Sequence, residues 1–429
     1  MSRRHSHSHS HSTISSSAAL RLAQLSSHFT PAVSSEQSST MTKSKASAQA
    51  AHPLTLIPGP VEFTDEVLAA MATPSQSHVS PQFVEVFGDA LALLRQLFFN
   101  TDKRAQTFAI AGAGTLGWDF VAANLIEPGE DALVLHTGYF ADSLADCIAT
   151  YGGKPTQLKA PIGDIVTLDA IESALKEKKF KVVTITHVDT STGVLSDIKS
   201  IAALVRAVSP ETLVIVDGVC SVGVEEIRFD DWDLDLVLTA PQKAIGVPAG
   251  LSIFIASGRA LDVFRARKAP PTSYYASLAK WLPIMQNYEA KKPSYFSTPP
   301  VQNIHALLAS LKQILAVPLA DRFAAHARMS DRIKATIASY GLKQVAVREG
   351  YQANGMTAVY LPDGVALPDL LPRIASRGIV LAGGLHKEIA TKYFRIGHMG
   401  VSVTDEDRED FDKALAAIKE SLAEAGYTV

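Results

Sequence analysis

The chain has 429 residues, 47% of them hydrophobic and 19% charged, enough for two to three domains of roughly 150 residues with packed cores, and wholesale disorder is excluded. Its 40 Lys+Arg against 43 Asp+Glu give a formal charge of −3, the wrong balance for a dedicated nucleic-acid binder. Two cysteines, Cys147 and Cys220, cannot build a disulfide framework or a Cys-rich zinc site, and no apolar run approaches the ~18–20 residues of a membrane span, so an intracellular globular protein is expected.

Residues 1–50 stand apart. They carry 16 serines and five basic residues (Arg3, Arg4, Arg21, Lys43, Lys45) against one acid, Glu36, and leave 35 basic against 42 acidic residues for 51–429. Such a leader cannot bury enough apolar surface to fold alone and resembles an organelle-targeting segment. Ala18–Phe29 reads as a short amphipathic helix of the mitochondrial presequence kind, and Arg21–Phe29 resembles a relaxed N-terminal peroxisomal signal. The expected location is peroxisome or mitochondrion, or cytoplasm if translation starts at Met41. The alternating His5, His7, His9 and His11 read as a solvated tail, because nothing nearby would fix a metal geometry.

Further along, Phe83, Phe87, Leu91 and Leu94 recur on one helical face. From residue 105, short apolar runs alternate with helical stretches. Thr107–Ala111, Ala132–His136, Val182–His187, Leu213–Asp217, Leu234–Thr239 and Ser252–Ala256 read as buried strands. Gly117–Leu125, Ala141–Tyr151, Leu168–Lys178 and Ile198–Val208 read as the helices between the first of them. This alternation predicts an α/β fold around a largely parallel sheet, with a large domain over residues 51–317. A smaller α+β domain is predicted for residues 318–429, from a helix at Ala320–Ser339, strands at Met356–Tyr360 and Tyr393–Ile396, and a helix at Thr404–Ala425.

Ligands of open α/β sheets sit at the carboxyl ends of the strands. Gly112–Gly117 (GAGTLG) follows a strand and opens a helix, which suits a phosphate approached by bare backbone and helix N–H groups. A dinucleotide would further require an acid at the end of the next strand, which ends Leu135-His136-Thr137-Gly138 without one. A tight packing turn is the remaining alternative.

Leu213–Asp217 ends in a carboxylate, and the next strand runs into Ala240-Pro241-Gln242-Lys243, 26 residues further on. Adjacent strand ends would then present an acid and a primary amine to one crevice. Singly, Asp217 could cap a turn and Lys243 could be a solvated loop residue. Together with a phosphate cradle they match pyridoxal 5'-phosphate, whose aldehyde wants an amine and whose ring nitrogen wants a carboxylate.

The order of motifs resembles the class V, fold type I aminotransferases, within them the alanine–glyoxylate (serine–pyruvate) group, from about Leu56 to Val403. The resemblance rests on Ile57-Pro58-Gly59-Pro60-Val61, on Thr186–Val194 (THVDTSTGV), on Val216-Asp217-Gly218-Val219 and on Pro241-Gln242-Lys243. Tyr295-Phe296-Ser297-Thr298-Pro299 and Phe394-Arg395-Ile396-Gly397 complete it. It implies a mixed, mostly parallel seven-stranded sheet in the large domain. It also implies that Lys243 holds the cofactor and moves the Cα proton, and that Asp217 pairs with the ring nitrogen. Phe140 would stack on the ring, Val219 would pack its other face and Thr190 would bond its O3′. Ala113, Gly114, Thr115 and Gln242 would surround the phosphate, with Ala113 where relatives commonly have Ser.

Tyr295 and Thr298 would reach the phosphate from a second subunit, so the resemblance implies a homodimer with shared active sites. Arg395 would clamp the substrate carboxylate, aided by the Gly59 backbone, and His187 would be structural. The implied reaction moves the amino group of L-alanine to glyoxylate, with serine as the alternative donor. A cysteine desulfurase would need a mobile loop cysteine, which neither Cys147 nor Cys220 offers. A nicotinamide-dependent oxidoreductase would rest on the glycine loop alone.

Overall fold

The short apolar runs become a seven-stranded sheet in the computed structural model, which describes residues 49–429. The leader, with its two candidate signals and its alternating histidines, lies outside the described residues. In chain order the strands are β1 (Gln106–Ala111), β2 (Asp131–His136), β3 (Lys154–Lys159), β4 (Val182–Thr186), β5 (Leu213–Asp217), β6 (Leu236–Thr239) and β7 (Leu251–Ala256). Across the sheet they run β1-β7-β6-β5-β4-β2-β3. Neighbours from β6 to β3 pair in parallel, while β7 is antiparallel to both β6 and β1. The strands β4 to β7 are buried along their whole length, which is why their sequences are uninterrupted apolar runs. β3 escaped the sequence reading because it is an edge strand, KPTQLK, with alternating exposed residues and no apolar run.

The helix Pro81–Leu97 buries Phe83, Phe87, Leu91 and Leu94 as the spacing required, and Ser80 caps it through the Phe83 N–H (3.3 Å). The helix after β1 starts at Gly114, three residues earlier than predicted. Its first turn is therefore made by the glycine loop itself.

Beyond the long helix Leu319–Ser339, a three-stranded antiparallel sheet forms from β8 (Met356–Tyr360), β9 (Ala382–Gly383) and β10 (Tyr393–Gly397), ordered β8-β10-β9. The final helix, predicted from Thr404, begins later, spanning Asp410–Glu424, after a separate short helix Val401–Thr404. Between them the Asp405 carboxylate accepts the Asp407 N–H (3.1 Å), a local bond that competes with helix continuation. A separate apolar cluster of Ile333, Ile337, Leu370, Phe394 and Ile418 also takes in Leu56. Leu54–Thr55 pairs in parallel with Ile379–Val380, so the first described residues join the C-terminal layer. Among the described residues no single helix is long and apolar enough to cross a membrane.

Because β1, β2, β4, β5 and β6 point the same way, Ala111, His136, Thr186, Asp217 and Thr239 end at one edge of the sheet.

Candidate active site

Asp217 ends β5 and is only 4% exposed. Its Oδ2 accepts the Trp118 indole N–H (2.8 Å) and its Oδ1 accepts the Val219 N–H (3.0 Å). Burial pushes its carboxyl up to about 6, helped by Asp189 and opposed by the two N–H donors and Lys243. At neutral pH it is still mostly ionised, so it can serve as the negative partner of a protonated group. Lys243 follows β6 and is half-buried, with Nζ donating to Pro58 O. Burial pulls its ammonium below the usual lysine range, with Arg395 acting in the same sense and Cys220 and Asp217 against it. The amine is thereby brought closer to the neutral form that can act as a nucleophile or base.

Both side chains line a cavity of about 190 Å³. Ala113, Gly114, Thr115, Phe140, Thr190, Val219 and Gln242 line it too, so nine of the eleven residues expected around a cofactor are brought together. On one side stands the start of the helix Gly114–Leu125. Ala113, its N-cap residue, gives no side-chain cap, and no described residue accepts the Gly114 or Thr115 N–H. Uncapped N–H groups at a helix start attract an anion. A Cβ on Gly114 would come within 2.8 Å of Val219 Cγ2, so the helix can approach the Asp217 turn only as glycine. The Oε1 of Gln242 is buried without a hydrogen-bond partner.

Phe140 lies in the first turn of the helix Tyr139–Thr150, edge-on to Trp118 with centroids 6.4 Å apart. A relay fixes that turn: Ser191 Oγ donates to the buried Asp189 carboxylate (2.6 Å) and accepts the Tyr139 N–H (3.0 Å). The Tyr393 hydroxyl donates to Ser191 O, joining the same loop to β10.

Arg395, on β10, donates from Nε to Gly383 O (2.7 Å) and from Nη1 to Thr190 O (3.1 Å). Among the described residues it has no ion pair, so no carboxylate of the fold neutralises its charge. Two carbonyls orient the guanidinium and leave Nη2 for an incoming anion. Gly59 lies directly against Lys243. Its N–H donates to Ile57 O (2.6 Å), and an added Cβ would collide with Lys243 Cδ. With φ at +84° it lets the chain pass against the lysine.

Tyr295 and Thr298 are not brought to this cavity. Tyr295 is 60% exposed and its ring rests on His78 at 4.9 Å, and Thr298 is exposed. His187 is buried and does not line the cavity; burial drives its imidazole down to about 3, so it stays neutral and structural. Cys220 lines the cavity with its thiol pushed up to about 11 by burial, and Cys147 is pushed up to about 12 the same way. Neither has the thiolate character a sulfur carrier needs. His136 is paired with Asp142 (2.9 Å). Sequence reasoning missed Trp118, one helical turn after Gly114, which was the available signal. It missed Asp189 and Ser191 although both lie in the segment it had singled out.

Residues 45–407 match the class-V aminotransferase family. This chain is a class-V aminotransferase. It is 43% identical over 377 residues to alanine–glyoxylate aminotransferase 1 of Saccharomyces cerevisiae, covering 86% of this chain and 97% of that one. It is 32% identical over 352 residues to the L-aspartate–glyoxylate aminotransferase of Paracoccus denitrificans, covering 81% and 86%. The crystal structure of an alanine–glyoxylate aminotransferase from Nostoc superposes with a TM-score of 0.80 at 27% identity, covering 89% of this aminotransferase and 97% of the Nostoc chain. The fold is accordingly that of the type I aminotransferases, with the mixed, mostly parallel seven-stranded sheet expected from the sequence.

Proposed function

We propose that this aminotransferase uses pyridoxal 5'-phosphate to move the amino group of L-alanine to glyoxylate, giving pyruvate and glycine, and that it works as a homodimer. One observation carries the reading: the buried Asp217 and the half-buried Lys243 face one cavity beside an uncapped helix start, with the unpaired Arg395 next to them. The residues fit the cofactor. Gly114, Thr115 and Gln242 offer donors where its phosphate would lie, Phe140 and Val219 offer faces for its ring, and Asp217 suits the ring nitrogen.

When bound, pyridoxal phosphate supplies an aldehyde for the amino group and a ring that accepts the electron pair left at Cα. The chain's residues do the rest. Arg395 holds the donor carboxylate through a charge-assisted bond, which orients the Cα–H bond toward Lys243. Lys243, freed when the donor amine takes its place, would take the Cα proton as a general base and hand it on to the former aldehyde carbon. Asp217 keeps the ring nitrogen protonated. Glyoxylate reverses the sequence, giving a ping-pong cycle.

Alanine as donor is supported by the charge of the cavity. Among the described residues its lining holds no cation besides Lys243, with Arg395 adjacent. A side-chain carboxylate, as in aspartate, would lack a partner, whereas a methyl group suits Val188 and Cys220. The homodimer is supported by Tyr295 and Thr298, both exposed and outside the lining of this chain's own cavity.

The test is a visible absorption spectrum of the full-length protein, with L-alanine and then glyoxylate added. A cofactor band that bleaches with alanine and returns with glyoxylate is expected. A band answering serine but not alanine would move the donor, and no band after supplying pyridoxal phosphate would refute the chemistry. Arg395→Gln is expected to lower kcat/KM for alanine by roughly 10²-fold, the loss of one buried charge-assisted contact. A wild-type kcat/KM in that variant would remove Arg395 from the substrate site.

A further inference from the structure

Five consecutive carbonyls around Lys243 are each held by a donor. Pro241 O accepts from Val247 N (2.9 Å), Gln242 O from Val61 N (3.1 Å) and Lys243 O from Gly246 N (2.8 Å). Ala244 O accepts from Arg322 Nη2 (2.7 Å), and Ile245 O from the Ser310 hydroxyl. The first three donors are main chain, two from the loop itself and one, Val61 N, from the segment after Gly59. Ala244 O, next to the lysine, depends on a charged side chain from a distant helix.

That guanidinium does a second thing. Its Nε donates to Gly223 O (2.9 Å), in the segment that follows Asp217 and Cys220. One planar fork thus spans the two loops that present the acid and the amine, a geometry that lysine's point charge cannot reproduce. Arg322 is 8% exposed and has no carboxylate in ion-pair distance among the described residues. Burying a cation against carbonyls alone is unfavourable, and burial pulls its guanidinium down to about 10. A residue selected for stability alone would not need that charge.

The connection continues along the helix Leu319–Ser339. Arg322 O accepts from His326 Nδ1–H (2.8 Å), which leaves Nε2 to accept the Gly400 N–H (3.2 Å). Gly400 lies just beyond β10, the strand that carries Arg395. The pair Arg322 and His326 therefore links three places: the Lys243 loop, the Asp217 loop and the end of the Arg395 strand.

We propose that Arg322 is a positioning residue for Lys243, fixing the loop on its C-terminal side against the Asp217 loop and, through His326, against the strand of Arg395. The inference rests on the reading above that Lys243 is the reacting amine. Burial does most to shift the ionisation of Lys243, followed by the charges of Cys220, Arg395 and Asp217, so Arg322 acts through where the amine sits and how far it is buried, not through its own charge. A cavity of about 470 Å³ bounded by Arg322, Ala244, Gly246 and Gly400 gives the loop room to move once the fork is removed.

The test compares full-length, cofactor-loaded wild type with Arg322→Met and Arg322→Lys. Three quantities are read: kcat, KM for alanine, and the pH midpoint of the visible cofactor band. In Arg322→Met, kcat is expected to fall about 10- to 100-fold, the scale of an ångström of misplacement, with KM changed less than about threefold. The pH midpoint should rise, because the Lys243 nitrogen that would hold the aldehyde gains water, and water favours its protonated form. Arg322→Lys, able to reach one carbonyl, should recover part of kcat. A folded Arg322→Met with wild-type kcat and midpoint, merely melting earlier, would overturn the proposal and leave the reading of the site intact. Should that variant fail to fold, Arg322→Lys decides alone: wild-type kcat and midpoint there overturn it. Wild type without band or turnover would refute the reading and the proposal together.

Discussion

Lys243→Ala is expected to lower turnover by roughly 10⁴-fold or more, the upper range for loss of a positioned general base. The expectation follows from where the amine sits. Lys243 is the cation lining the cavity, and its Nζ is held by Pro58 O rather than by a carboxylate. Losing it removes both the group that holds the aldehyde and the base for the Cα proton. Charge alone does not rescue the step. Lys243→Arg keeps a cation but cannot shed its proton, so it is expected to be equally inactive. The measurement is single-turnover absorbance after mixing with alanine. Conversion in either variant at more than about a hundredth of the wild-type rate would assign the proton transfer elsewhere, with the buried, neutral His187 an unsuitable replacement.

Asp217→Asn is expected to slow turnover by about 10²- to 10³-fold while the protein stays folded, the scale for removing one preorganised electrostatic contact. Asparagine has the same shape and still accepts one of the N–H groups from Trp118 or Val219, but it carries no negative charge. The cofactor-free protein offers an independent reading. Burial raises the Asp217 carboxyl from 3.8 to about 6, so between these values the folded chain binds a proton that the unfolded chain has released. The native state then loses stability as pH rises through that window, by at most about 3 kcal/mol for a two-unit shift. The asparagine side chain of the variant does not titrate. Between pH 7 and pH 5, wild-type Tm is therefore expected to gain on the variant's Tm. Parallel melts across that range would mean that Asp217 is not the buried acid described here.

The placement of candidate site residues was legible in the sequence where a strand alone determines which residue reaches the sheet edge. An apolar run that ends in an acid places that acid at the sheet edge whatever packs around it, and Asp217 needed no further information. The same holds for Gly114 and Thr115, since a strand followed by a glycine turn and a helix presents N–H groups at one end. The extra strand β3 was hidden because an edge strand is solvated and lacks the apolar signature of its neighbours.

Tertiary structure decided everything that depends on two distant segments meeting. Trp118 and Asp217 are 99 residues apart, Arg322 and Ala244 78 apart, and Tyr393 and Ser191 202 apart. Periodicity is a property of neighbours along the chain and carries no record of such pairs. Gly59 shows the difference within one residue. Its motif was visible, but that it shields the flank of Lys243 follows only once the lysine side chain is seen lying where a Cβ would stand. The sequence by itself determined the strand order of chemistry along the chain, because backbone register does so locally. Only packing decided which carbonyls and N–H groups hold the acid, the amine and the guanidinium in place, because hydrogen bonds are satisfied in space and not in sequence.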